Sequence, residues 1–112
     1  MAAGNHNFTL EQGSTFDREI TVQENSLALN LTGYSARMQM RSTHDSASIA
    51  LTFTAAIASP ATAGKINLGA TATATAAVEE GIYVYDLEIE SSAGSVTRIL
   101  EGTVTVTPEV TR

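Results

Sequence analysis

From Tyr83 to Glu90 the side chains alternate in kind: Tyr83, Tyr85, Leu87 and Ile89 are separated by Val84, Asp86, Glu88 and Glu90. A period of two is that of a pleated strand with one apolar face and one wetted face. The pattern stops at Ser91 to Ser95, where Gly94 can take a positive φ without steric cost, and resumes from Val96 to Val106. The spacing therefore predicts a hairpin of two long strands on one short turn. The same alternation sets Tyr34, Ala36, Met38 and Met40 on one face of a second strand, with Ser35, Arg37, Gln39 and Arg41 on the other. Ile49, Leu51 and Phe53 alternate with Ala50, Thr52 and Thr54 in a third.

Elsewhere the pattern is shorter. Phe8, Leu10, Phe16, Ile20 and Val22 predict a bent first strand, interrupted near Gly13 where Gln12-Gly13-Ser14 permits a bulge or a change of sheet. Asn25 to Asn30 and Ser42 to Ser48 are polar and read as loops. Ile57 predicts a short edge strand ending in a turn at Pro60, which cannot donate to a ladder, and Ile66-Asn67-Leu68 opens another strand after Gly64-Lys65. Thr71 to Glu80 is the one stretch with helical promise, so one short helical turn is expected near residues 72-79, ended by Gly81. Strands at intervals of roughly eight to twelve residues imply an all-β fold, a single antiparallel β-sandwich of about seven to eight strands, with a small barrel as the alternative. Glu80-Gly81-Ile82-Tyr83 resembles the tyrosine corner of immunoglobulin-like sandwiches, which implies that Tyr83 buries its ring and bonds its hydroxyl back to the preceding connection.

A chain of 112 residues is enough for one domain that buries about two-thirds of its unfolded surface. The expected organisation is one sandwich domain over 1-112, with residues 1-7 an N-terminal arm and 108-112 a C-terminal tail, both ordering on contact with a neighbour. There is no cysteine, which excludes a disulfide framework and thiolate metal sites. Six Lys and Arg against twelve Asp and Glu give a net charge of −6, which disfavours phosphate contacts, so no nucleic-acid partner is expected. No stretch approaches the roughly eighteen apolar residues of a membrane span, and the start lacks a basic and apolar leader pattern, so no membrane association is expected. Charged residues are only 16% of the chain and Lys65 is the single lysine, against about a quarter in isolated domains. A surface so poor in charge suits coverage by other subunits or a Thr-rich sheet.

Candidate chemistry is sparse. His6 and His44 have neither H-x-x-x-H spacing nor an Asp cluster beside them, and read as solvated, His6 near a fraying terminus. Glu79, Glu80, Asp86, Glu88 and Glu90 lack the spacing of a calcium loop and read as a wetted sheet face. Cross-strand pairs of Arg37 with Asp86 and of Arg98 with Glu88 are expected. There is no nucleophile elbow, and no histidine set beside a carboxylate on a rigid element. The expectation is a non-enzymatic chain with no catalytic, cofactor-binding or metal site.

The segments Leu31-Thr32-Gly33-Tyr34-Ser35-Ala36-Arg37-Met38-Gln39-Met40-Arg41, Gly81-Ile82-Tyr83-Val84-Tyr85-Asp86-Leu87-Glu88, Gly94-Ser95-Val96 and Leu100-Glu101-Gly102-Thr103-Val104-Thr105-Val106 together resemble the small immunoglobulin-like structural proteins of tailed bacteriophages. They are more distantly similar to the N-terminal domain of phage baseplate upper proteins. The resemblance spans about Phe8 to Thr111. It implies an immunoglobulin-like sandwich in the virion, made in the host bacterial cytoplasm and placed in tail, baseplate or neck. Its partners would be other virion proteins in a homo-oligomer or multi-copy symmetric assembly. The alternatives are a capsid decoration protein and a receptor- or carbohydrate-binding module. Unlike the baseplate upper protein, the chain stops at Arg112 without a receptor-organising helix or stalk, so a host-recognition role is the weaker of these alternatives. No catalytic residue is carried over.

Overall fold

A computed structural model describes residues 4–24 and 26–111. In chain order the strands are β1 (Gly4–Asn5), β2 (Phe8–Glu11), β3 (Phe16–Thr21), β4 (Gln23–Glu24), β5 (Leu27–Ala28), β6 (Ser35–Arg41), β7 (Leu51–Ile57), β8 (Lys65–Ala70), β9 (Gly81–Glu90) and β10 (Val96–Thr107). A 3₁₀ turn covers Ala61–Ala63 and one short helix, α1, covers Ala72–Ala76. The main strand path runs β1-β10-β9-β6-β7-β8-β3, with β2 also paired to β10, and β4-β5 form a separate two-stranded ribbon. The fold is a small, mostly β, single domain whose mixed sheet curls into a half-barrel.

The centre of the sheet follows the sequence pattern. Tyr85, Leu87 and Ile89 of β9, Met38 and Met40 of β6, and Val104 and Val106 of β10 are all buried on the inner face. The turn between β9 and β10 is closed by the Gly94 N–H on the Ser91 carbonyl (2.9 Å), with Gly94 at φ 89°. The Tyr83 hydroxyl donates to the Glu79 carbonyl at 2.8 Å, the backward bond expected of it, while its ring is half-buried.

The start of the chain departs from expectation. Instead of one bent strand, β2 and β3 lie on opposite edges of the sheet and are joined by a tight turn, with the Ser14 N–H on the Glu11 carbonyl at 3.0 Å. Neither a bulge nor a change of sheet is adopted at Gly13; the chain crosses there from one edge of a single sheet to the other. Both β1 and β2 pair parallel to β10, so the sheet is mixed and not antiparallel throughout. Residues 4–7 are therefore no free arm. The His6 N–H bonds the Glu101 carbonyl (2.9 Å), the Tyr85 hydroxyl donates to the His6 carbonyl (2.6 Å), and Asn7 Oδ1 accepts the Thr103 N–H (3.0 Å). Nor does His6 fray; its ring meets Phe8 edge-on at 4.6 Å. Residues 1–3 of the expected arm and Arg112 of the expected tail lie outside the described residues.

Two further differences have simple causes. Residues 55–57 form no separate edge strand but continue β7, which pairs first with β6 and then, from Thr54 to Ile57, with β8. One strand thereby serves both walls, and the sheet curls without breaking. Ile49 stays outside β7 and exposed; of the loop expected at 25–30, Leu27 and Ala28 belong to the β4-β5 ribbon, and Asn25 lies outside the described residues. Helix α1 is capped by Thr71, whose Oγ1 accepts the Ala74 N–H at 3.1 Å. It ends after Ala76, short of the expected Gly81, in keeping with threonine's poor helix propensity, and its one wholly buried side chain is Thr75. The Thr75 Oγ1 accepts the Gly13 N–H (3.1 Å) and donates to the Ser14 carbonyl (2.8 Å). Gln12 completes the clasp, donating to the Val78 carbonyl (2.7 Å) and accepting the Glu109 N–H (3.0 Å). The β2-β3 turn is thus fastened to both α1 and the segment after β10.

Candidate functional site

A curled sheet that does not close leaves two rims. β1 and β2 form one and β3 the other, each hydrogen-bonded to a neighbour strand on one side only. Following the ladders round the sheet, β3 runs opposite to β1 and β2. The walls meet at the Glu11–Ser14 turn and part toward Gly4 and Gln23, enclosing a groove of about 620 Å³. Phe8, Val22 and Ile99 line it as buried apolar residues, and Ile20 and Leu100 are partly buried beside them.

Arg18 is the unusual member of this groove. It has the same strand parity as Phe16 and Ile20, the residues of β3 that pack on the core, so a charge occupies an inward position at a sheet rim. Its guanidinium lies 4.9 Å from the Phe16 ring centroid, and Nη1 donates to the Asp17 carbonyl at 2.9 Å. Among the described residues Arg18 and Arg41 have no carboxylate partner, whereas Lys65 has one and Arg37 and Arg98 have two each, and of the unpartnered two only Arg18 lines the groove. Inward-pointing charges on rim strands oppose indiscriminate edge-to-edge pairing. Asp17-Arg18-Glu19 reads in sequence as an ordinary polar run; the signal for Arg18 is its parity with Phe16 and Ile20.

The outer face of β6, β9 and β10 carries two clusters of paired charges. Arg37 bonds Glu88 at 2.9 Å and Glu90 at 2.8 Å, and Arg98 lies 3.4 Å from Asp86 and 3.5 Å from Glu101. The expected partners are exchanged. Register sets Arg37 opposite Glu88, and an irregularity between Arg98 and Leu100 is where Arg98 leaves Glu88 for Asp86. These exposed pairs contribute little to stability, because water and salt screen them. Burial, then the neighbouring Glu88, hold the Asp86 carboxyl above its ordinary value, against the pull of Arg98. His44 joins Asp86, Arg98 and Glu101 around a shallow depression of about 120 Å³. Among the described residues no three His, Asp or Glu side chains gather to hold a metal ion, and no helix is long and apolar enough to cross a membrane.

Tyr85 links the core to the β1 rim. Burial pushes its hydroxyl well above its ordinary value of 10.0, and donation to the His6 carbonyl favours the same neutral form. Above pH 10 the unfolded chain loses this proton while the folded one keeps it, so stability is full below pH 10 and falls as pH rises beyond it. Tyr85→Phe is expected to cost about 1 kcal/mol at neutral pH. It should also flatten the alkaline loss, which thermal melts of both proteins between pH 8 and 11 will reveal. Parallel alkaline curves for the two would refute the assignment.

Neither a protein-family model nor a curated protein sequence matches this chain.

Proposed function

We propose that the chain is a non-enzymatic structural component of a tailed bacteriophage virion, built as an immunoglobulin-like sandwich and acting through subunit packing in the tail, baseplate or neck. One observation carries the reading. The segments on which the phage resemblance rests, scattered between residues 31 and 106, come together as the adjacent strands β6, β9 and β10, with the Tyr83 hydroxyl tied back to Glu79. Two unpaired rims support a role in which strand edges meet neighbouring subunits. A receptor-binding module would call for aromatic side chains at loop tips, but Tyr85 is buried in β9, Tyr83 is held by its own connection, and Tyr34, just before β6, packs against the core.

Mass spectrometry of purified particles tests the proposal. The polypeptide is expected at a stoichiometry matching a symmetric ring or layer, and in tail fractions separated from heads. Recovery with heads alone would favour capsid decoration, and absence from particles would overturn the virion reading.

A further inference from the structure

We infer that the groove between the β1 and β3 rims receives an extended segment of another polypeptide, lying antiparallel to β3, with alternate apolar side chains turned inward and one carboxylate set against Arg18. The identity of that polypeptide as a virion neighbour rests on the proposed function; the groove itself does not.

A strand in the seam has β3 on one side and β1 on the other, and the two walls run in opposite directions. Pairing antiparallel to β3, the more stable arrangement, makes it parallel to β1. Such an occupant needs both of its edges free, which an extended segment has and a strand already within a sheet does not. Its inward side chains would cover Phe8, Ile20 and Ile99, which now line an open groove.

Charge selects among extended segments. Arg18 stands inward without a carboxylate partner among the described residues, in a chain of net charge −6. An occupant with an apolar-x-acidic-x-apolar pattern meets both the floor and the guanidinium. A second copy of β3 does not. Symmetric pairing that keeps the inner faces together sets Arg18 against Arg18 and Asp17 against Glu19 when centred on Arg18. Centred on Asp17 or Glu19, it sets like carboxylates directly opposite. These pairings are unfavourable, and in no register do the inward positions of β3, which are Phe16, Arg18 and Ile20, offer Arg18 a carboxylate.

The probes are two synthetic peptides, acetyl-KVTETVK-amide and acetyl-KVTKTVK-amide, titrated into the full chain and followed by NMR and amide hydrogen exchange. The acidic peptide is expected to slow exchange at residues 16–21 and to bind about tenfold more tightly than the lysine peptide. Arg18→Gln, at an exposed position, should fold normally and bind the two alike. Equal affinities for the unaltered chain, no binding, or protection on another strand would overturn the inference. So would concentration-dependent dimerisation that protects residues 16–21 without peptide, which would assign the rim to a second copy. Peptide binding by a chain absent from particles would leave the groove standing and remove the virion reading; incorporation without peptide binding would do the reverse.

Discussion

Leu87→Ala is expected to remove about 2–5 kcal/mol from a total stability of order 5–15 kcal/mol. Leu87 is wholly buried in the middle of β9, with Met38 of β6 and Leu100 of β10 as its register partners on either side. Both neighbours are pinned by their own ladders, so the space vacated by the side chain cannot collapse, and a cavity adds to the lost transfer free energy. Urea unfolding should show a lower midpoint with an unchanged slope. Leu27→Ala is the matched control: Leu27 is 72% exposed on β5, and its loss should stay within about 0.5 kcal/mol. Similar costs for the two leucines would mean that the centre of the sheet is not the centre of the core.

The second large effect is expected at Gly102. A Cβ built there would overlap the His6 carbonyl oxygen and come within 2.8 Å of Asn7 Oδ1. The His6 peptide has little room to retreat, because its N–H is bonded to Glu101 and its carbonyl receives the Tyr85 hydroxyl. Gly102→Ala should therefore lift residues 4–7 off β10 and forfeit the β1-β10 pairing together with the bonds His6 makes to Glu101 and Tyr85 and Asn7 makes to Thr103, at a cost of about 3 kcal/mol or more. Hydrogen exchange at His6 and Thr103 should rise to that of an exposed chain. Combining Gly102→Ala with Tyr85→Phe should cost less than the sum of the two, since both remove the same bond. Full protection of Thr103 in the Gly102→Ala protein would show that the segment sits elsewhere. For the same reason, removal of residues 1–7 is expected to weaken the domain itself, an outcome that a detachable arm would not produce.

The strands β6, β9 and β10 were legible in the sequence because each has one face in the core and one in water, so hydropathy alternates along it. Gly94 and Tyr83 carried local chemistry that could be read in place. The pairing of β1 and β2 with β10 left no such mark, since Asn7 and Thr103 are 96 residues apart and nothing near either one names the other. The continuation of β7 through Ala55 and Ala56 was hidden by side chains too small to show a period. The ion-pair partners depended on register and on the irregularity near Arg98, neither of which composition records. In the groove, Phe8, Ile20 and Val22 were visible as apolar positions, but that they form a seam follows from where the sheet stops.

The clasp of Gln12 and Thr75, with the long ladder of β2 on β10, also sets an order of events during synthesis. The earliest strands find their partners in the last one: Phe8 and Leu10 are covered only when Val104 and Val106 have been made. Contacts of such long range impose a large loop-closure cost before they return any stability, which places this chain among slow folders. A nascent chain halted before residue 100 would hold two bare apolar side chains at its start, a natural target for a holding chaperone.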